Sequence, residues 1–357
     1  IDSPSHRRKR QSMTNFEPSL RLHIDGDALV SNWRALDARS GAARAGAAVK
    51  ANGYGLDARE VVTRLRDAGC RDFFVAHWGE AESIADLVPP DWISVLNGIT
   101  QADIAAARAL GAIPVLNTPE QVANWRNAGG GRCHVMLDSG INRLGLAPDQ
   151  AGLLADLDID ILLSHLASAD EDIAQNGEQL GVFAQTRSHI SAQRYSLANS
   201  AGIALGAEYH YDLTRPGLSL YGGIARPEMA DSIKPVVHLS ARLLQVRELP
   251  AGAMVGYNAT HVCREETRMG TISLGYADGY LRAFSGKGRA WVDGLELPVI
   301  GRVSMDLVTL DLNAAPALRE GDWVNIEYDL VTAAALTGLS QYELLTGLGT
   351  RFARIWR

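Results

Sequence analysis

Lysine is scarce in this chain: Lys9, Lys50, Lys234 and Lys287 are the only lysines among 34 basic residues. A lysine amine can form an imine with a carbonyl and an arginine cannot, so each lysine is a chemical candidate. Lys50 draws attention because it closes the apolar run AGAAVKA, and Tyr54 and Gly55 follow it in a tight turn. A desolvated amine is easier to deprotonate, as imine formation needs. A surface lysine ending a strand is the plain alternative. Arg215 lies in TRPGLSLYGG, and Ser200 lies upstream in LANSAGI. Pro216 biases Arg215 toward an extended conformation. A serine hydroxyl and the Gly217 amide could form an anion cradle of little net charge, although ordinary turn chemistry explains each piece alone. His165 in LLSHLASADE, and Asp138 with Arg143 in LDSGINRLG, add titratable and charged groups. A packed histidine and a salt-bridged loop are their ordinary readings. Tyr276 and Tyr280 flank an ADG turn, where tyrosines usually pack.

These residues sit at the ends of apolar runs. The runs cover 45–51, 72–77, 92–98, 112–117, 133–138, 160–166, 194–199 and, more loosely, 211–222. Between them, segments such as 58–69, 100–111 and 119–129 show helical apolar spacing and end on glycine. Such alternation implies parallel strands joined by helical crossovers. Eight runs predict a closed (β/α)8 barrel, with an open doubly wound sheet as the alternative. Lys50, His77, Asn97, Asn117, Asp138, His165, Asn199 and Arg215 all fall where runs end. In a barrel those ends meet on one face. After about residue 236 helical spacing fades, and strand-like stretches rich in turn residues follow, with a short helical region at 331–348.

Length and charge bound the rest. At roughly 100–200 residues per domain, 357 residues imply two domains or a barrel with an addition. The net charge is −7, which disfavours nucleic acid, and no apolar run is long enough to span a membrane. Cys70, Cys133 and Cys263 are far apart with no CxxC, so neither a disulfide framework nor a cysteine-rich metal site is expected. Residues 1–12 carry Arg7, Arg8, Lys9 and Arg10 but lack an apolar core, and Met13 follows. They are expected to be a disordered leader outside the fold, and the chain to be cytoplasmic.

Taken together, VKANGYG, LDSGINRLG, SHLASADE, NSAGI, RPGLSLYGG, VGYNATH, LGYADGYLR and GRVSMDLVTLDL strongly resemble the alanine racemase family, in family order from about residue 20 onward. The resemblance implies an N-terminal (β/α)8 TIM barrel over 25–236 and a mainly β C-terminal domain over 237–357. Residues 13–24 would form a strand segment packing with the latter. It also implies pyridoxal 5'-phosphate as cofactor, alanine as substrate, no metal, and a homodimer with shared sites. D-Alanine for peptidoglycan would be the product put to use.

By that resemblance Lys50 carries the cofactor covalently and is one catalytic base. Tyr276, from the partner subunit, is the opposite base. Tyr54, Ser200 and the Gly217 backbone match phosphate-binding positions, and Asn199, Leu218 and Tyr221 are further cofactor-side positions. Arg215 donates to the pyridine nitrogen, and His165 lies beside the ring and hydrogen-bonds Arg215. Arg143 and the Met305 amide hold the substrate carboxylate. A cationic Arg215–His165 pair is expected to ease Tyr276 toward its role as base.

Three positions depart from the family pattern. Met136 stands where a carbamylated lysine often orients the arginine, Thr350 where some members place a phosphate-binding tyrosine, and Leu56-Asp57 where many have His-Gly. Other readings are a broader amino-acid racemase, whose relatives are typically exported, or a fold-sharing decarboxylase, which would need a carboxylate in place of Arg215. A non-catalytic pyridoxal phosphate-binding protein would resemble the barrel alone.

Overall fold

Apolar residues on both faces of the early runs demand strands buried on both sides, as in a parallel sheet covered by helices. In the computed structural model, which describes residues 16–357, seven such strands pair in parallel and in chain order. They are Ala47–Ala48, Phe73–Val75, Ile93–Val95, Ile113–Leu116, Cys133–Met136, Ile159–Leu163 and Arg194–Ser196. The eighth run closes the ring. Leu213–Thr214 pairs in parallel with Arg44–Ala45, and Ala48 N–H donates to Pro216 O at 2.9 Å. On its other side Asp212 N–H reaches Tyr195 O at 3.0 Å and Arg215 N–H reaches Ala198 O at 2.8 Å. Phe74, Val115, Met136, Ile161, Leu163 and Leu213 meet in one buried cluster, as a closed cylinder requires and an open sheet does not allow. The leader expected at 1–12, and residues 13–15 of the segment after it, lie outside the described residues.

The helices sit close to their predicted spans, at Ala58–Ala68 and Pro119–Asn127. The segment predicted from 100 starts its helix only at Ile104, because Asp103 N–H closes a separate turn onto Thr100 O at 3.1 Å. Beyond the barrel, the 13-residue strand Val237–Leu249 organises an eight-stranded, mostly antiparallel sheet. Leu20–Ile24 joins that sheet, antiparallel to Val237–Leu249 and parallel to Ala353–Trp356. Two helices, Leu330–Thr337 and Gln341–Thr346, lie before the last strand. All three cysteines are buried, and burial pushes the Cys70 and Cys133 thiols up to about 12. No helix among the described residues is long and apolar enough to cross a membrane.

The strand starts, opposite the polar ends, hold an ionic cluster. Arg194 contacts Asp72 at 2.8 Å and Asp160 at 2.9 Å, and Arg132 reaches Asp160 at 2.7 Å. Burial opposes the Asp160 charge, but the Arg194 hydrogen bond and the charges of His134, Arg194 and Arg132 hold its carboxyl low. Burial, outweighing the attraction of Asp160 and reinforced by Arg194 and Arg132, pushes His134 down to about 3. Both shifts act in the same direction. Above the ordinary histidine value both states leave His134 neutral. Below it the unfolded chain takes up a proton that the folded chain refuses. Stability should therefore fall from about pH 6.5 downward, by about 2 kcal/mol per such histidine at pH 5. Denaturant midpoints at pH 7.5 and pH 5 check this. A His134→Asn protein should show a smaller loss between the two.

Candidate functional site

The strand ends enclose a cavity of about 900 Å³. Lys50, Tyr54, Arg143, His165, Asn199, Ser200, Arg215, Gly217 and Leu218 all line it, so nine residues singled out in the sequence face one space. Tyr221 does not line it. Its hydroxyl donates to Ala48 O at 2.8 Å and its ring stacks on Tyr54 at 4.6 Å, so it supports the wall from behind. Tyr276 and Met305 are absent from this cavity and lie in the second domain, held against each other. Tyr276 N–H donates to Ser304 O and Ala277 N–H to Met305 O, both at 3.0 Å. Met305 is 53% exposed, and the Arg282 guanidinium lies over the Tyr276 ring at 5.4 Å.

Lys50 is presented by an unusual turn. Ala51, Asn52, Gly53 and Tyr54 all have positive φ, between 53° and 63°. Such a conformation costs an L residue roughly 1–2 kcal/mol. It is held by Gly53 N–H to Val49 O at 2.8 Å, Gly55 N–H to Ala51 O at 2.9 Å and Ala58 N–H to Asn52 Oδ1 at 3.0 Å. Burial lowers the Lys50 ammonium, and Arg143 and Arg215 add to this while Glu80 pulls the other way. The amine is thus biased toward its reactive neutral form.

Arg215 is buried, and its guanidinium donates only to neutral acceptors: the Ser196 hydroxyl and the Ser164 and Leu197 carbonyls. It has no carboxylate partner among the described residues. Burial pushes it down to about 9, so it stays charged at neutral pH. His165 corrects one expectation. Among the described residues no hydrogen bond joins it to Arg215. Burial, followed by the charges of Arg215, Arg143 and Lys50, pushes its imidazole down to about 3. The pair is therefore one cation beside a neutral ring.

An anion cradle occupies one end of the cavity. Ser200 Oγ accepts from Gly217 N–H at 2.9 Å and Ser219 N–H at 3.3 Å. The Ser219 hydroxyl is buried with no partner among the described residues. A Cβ on Gly217 would run into the Tyr54 hydroxyl, with Tyr54 Cζ 3.0 Å away. Burial pushes the Tyr54 phenol up, so it remains a donor. The site therefore offers an amine, a buried donor-only cation, and a neutral set of amides and hydroxyls for a dianion. That donor set fits a pyridine aldehyde phosphate. Among the described residues no cluster of metal-ligating side chains occurs.

Some lining residues escaped sequence reading. Glu80 comes from the first turn of the helix Trp78–Ile84, and Tyr342 and Thr346 from the helix Gln341–Thr346, while His77, read above as a strand-end residue, lines the cavity beside Glu80. The Tyr342 ring lies 6.3 Å from Tyr54. Thr350 does not line the cavity, so the helix above the cradle brings a different tyrosine to that end. Met136 and Arg143 both line the wall, and Arg143 makes no hydrogen bond or ion pair among the described residues.

Comparison with known proteins accords with this geometry. The family model described as alanine racemase, N-terminal domain, matches residues 24–225, and that of the C-terminal domain matches residues 236–356. An alanine racemase of Methylobacterium nodulans is 42% identical over 351 residues, covering 94% of this chain and 95% of that protein. A biosynthetic alanine racemase of Agrobacterium fabrum is 40% identical, covering 94% and 93%. The crystal structure of alanine racemase from Bartonella henselae with covalently bound pyridoxal phosphate superposes with a TM-score of 0.89 at 33% identity. It covers 96% of this chain and 100% of that one. With both family models matched in order over nearly its whole length, the chain belongs to the alanine racemase family.

Proposed function

We propose that this chain interconverts L- and D-alanine with pyridoxal 5'-phosphate, using Lys50 and Tyr276 as the two proton-transferring groups, in a homodimer whose sites are shared. The observation that carries it is the convergence of Lys50, Arg215 and the Ser200–Gly217 cradle on one cavity at the strand ends. When bound, the cofactor draws electrons from the substrate and makes its Cα–H acidic. The protein's part is to hold, orient and move protons.

Tyr54, Ser200, Ser219 and the Gly217 amide hold the phosphate end, and Tyr342 lies beside them. Arg215 can donate but never accept, so it would leave a pyridine nitrogen held against it without a proton, a weaker electron sink that would limit side reactions such as transamination or decarboxylation. Arg143, with no partner of its own among the described residues, is available for the substrate carboxylate. Lys50 handles the proton on one face. Racemisation needs a second group on the opposite face, and Tyr276 fits that need if a second chain brings it there. The D-alanine formed would serve peptidoglycan synthesis.

Incubating the purified protein and pyridoxal phosphate with L-alanine should yield D-alanine up to an equal mixture. No D-alanine from the folded, cofactor-loaded protein would overturn the proposal. Gly217→Ala should weaken pyridoxal phosphate binding roughly tenfold or more, since its new methyl displaces the Tyr54 hydroxyl. Absorbance titration of the cofactor-free protein measures this.

A further inference from the structure

One acid lines the cavity, Glu80, and its contacts go beyond those of an ordinary helix cap. It stands in the first turn of the short helix Trp78–Ile84. Its Oε2 accepts from Ala76 N–H at 2.7 Å and His77 N–H at 3.3 Å, which closes the end of strand Phe73–Val75. Its Oε1 crosses to the neighbouring strand end and accepts from Ala51 N–H at 2.6 Å. Ala51 directly follows Lys50 and opens the left-handed turn. The first amides of a helical turn have no partner within it, so this one needs an acceptor from elsewhere. One carboxylate thus ties together two adjacent strand ends at the residue next to Lys50.

Its charge also stands apart. Arg143, Arg215 and His165 face Lys50 from three other strand ends, and His77, Tyr54 and Tyr342 complete the titratable lining. Of these, both arginines repel the Lys50 ammonium, and Glu80 is the group that attracts it.

We infer that Glu80 is a positioning residue for Lys50: its carboxylate clamps the left-handed turn that presents the amine, and it supplies the one negative charge facing Lys50, against the two guanidiniums of Arg143 and Arg215. The inference rests on Lys50 being the cofactor-bearing base. Removing the charge leaves Lys50 facing only repulsion, so its ammonium loses its proton at a lower pH. Removing the acceptor leaves the Ala51 amide without its bond.

The test uses the full-length chain free of cofactor. Trinitrobenzenesulfonate labels Lys50, and mass spectrometry of its peptide gives the labelling rate against pH. Glu80→Gln should move the midpoint of that profile down by roughly half to one unit, and Glu80→Asp should keep it near the parent value. In Glu80→Ala, hydrogen exchange in the peptide spanning 49–55 should quicken roughly tenfold or more. Circular dichroism confirms that each variant is folded. A Glu80→Gln profile that superimposes on the parent, a Glu80→Asp shift as large as that of Gln, or unchanged exchange in Glu80→Ala would overturn the inference. Borohydride reduction of the parent loaded with pyridoxal phosphate separates the two readings. Cofactor fixed elsewhere than Lys50 overturns the functional reading. Cofactor fixed on Lys50 beside an unmoved Glu80→Gln profile overturns only the role of Glu80.

Discussion

Lys50→Ala should lower alanine racemisation by on the order of 10³-fold or more and leave the fold intact. Among the described residues the Lys50 amine makes no ion pair or hydrogen bond, so truncation removes no structural partner. It removes one of three neighbouring cations, which relieves repulsion rather than creating an unsatisfied charge. What is lost is the only lysine that lines the cavity among the described residues, and with it the only such amine able to alternate between charged and neutral forms there. Lys50→Arg sharpens the test. It restores the positive charge and much of the volume, yet guanidinium keeps its proton at any working pH. If Lys50 served only as a fixed charge, arginine would rescue activity; if it moves a proton, arginine should remain as inactive as alanine. Chiral chromatography of the product reads both variants. Activity within tenfold of the parent in Lys50→Ala would show that the base lies elsewhere.

The acid side of the pH profile should reflect stability as much as chemistry. His134 is buried and His165 lines the cavity half-buried, and both are held in neutral form, one at each end of the barrel. Each makes folding less favourable as pH drops below the ordinary histidine value. His165 enters through burial first and through three nearby cations second. Losing Lys50 removes one of those cations, so the imidazole of Lys50→Ala should accept a proton somewhat more readily than that of the parent.

What could be read from the chain follows from barrel geometry. A polar residue after an apolar run lies at a strand end, and a closed barrel gathers all such ends on one face. Lys50, His165, Asn199 and Arg215 were legible for that reason. Tyr221 shows the limit: it lies in the same glycine-rich motif, but the short 3-10 helix Leu218–Tyr221 carries it behind the wall. The charge state of His165 was hidden because it depends first on enclosure by the folded barrel and then on cations from other strand ends. Glu80 reads as a routine first-turn acid, and its bond to Ala51 is a contact between loops that no local pattern announces. Tyr342 reaches the cavity through the helix Gln341–Thr346, which Gln341 ties to the barrel by two 2.9 Å bonds with Ile224. Neither the distance along the chain nor the motif around Tyr342 discloses that docking.

Tyr276→Phe and Lys50→Ala, each nearly inactive alone, should restore activity when the two chains are co-expressed. Within one chain the backbone at Tyr276–Ala277 is bonded to that at Ser304–Met305, and both Tyr276 and Met305 lie outside the cavity that holds Lys50. If a second copy returns the proton on the second face, as proposed, each site would take its lysine from one chain and its tyrosine from the other. A hybrid dimer would contain one site lacking both groups and one site with both intact. Random pairing makes half of the dimers hybrids, each with one good site of two, so about a quarter of parental activity is expected. Tyr276→Phe alone should still exchange the α-proton of one enantiomer in heavy water, because Lys50 remains on its face. Removing the lysine as well should abolish that exchange. A mixture no more active than its two components would show that Tyr276 does not reach a neighbour's site, and exchange of both enantiomers in Tyr276→Phe would show that another group serves its face. The two measurements fail independently, since the first depends on shared sites and the second only on which face the phenol serves.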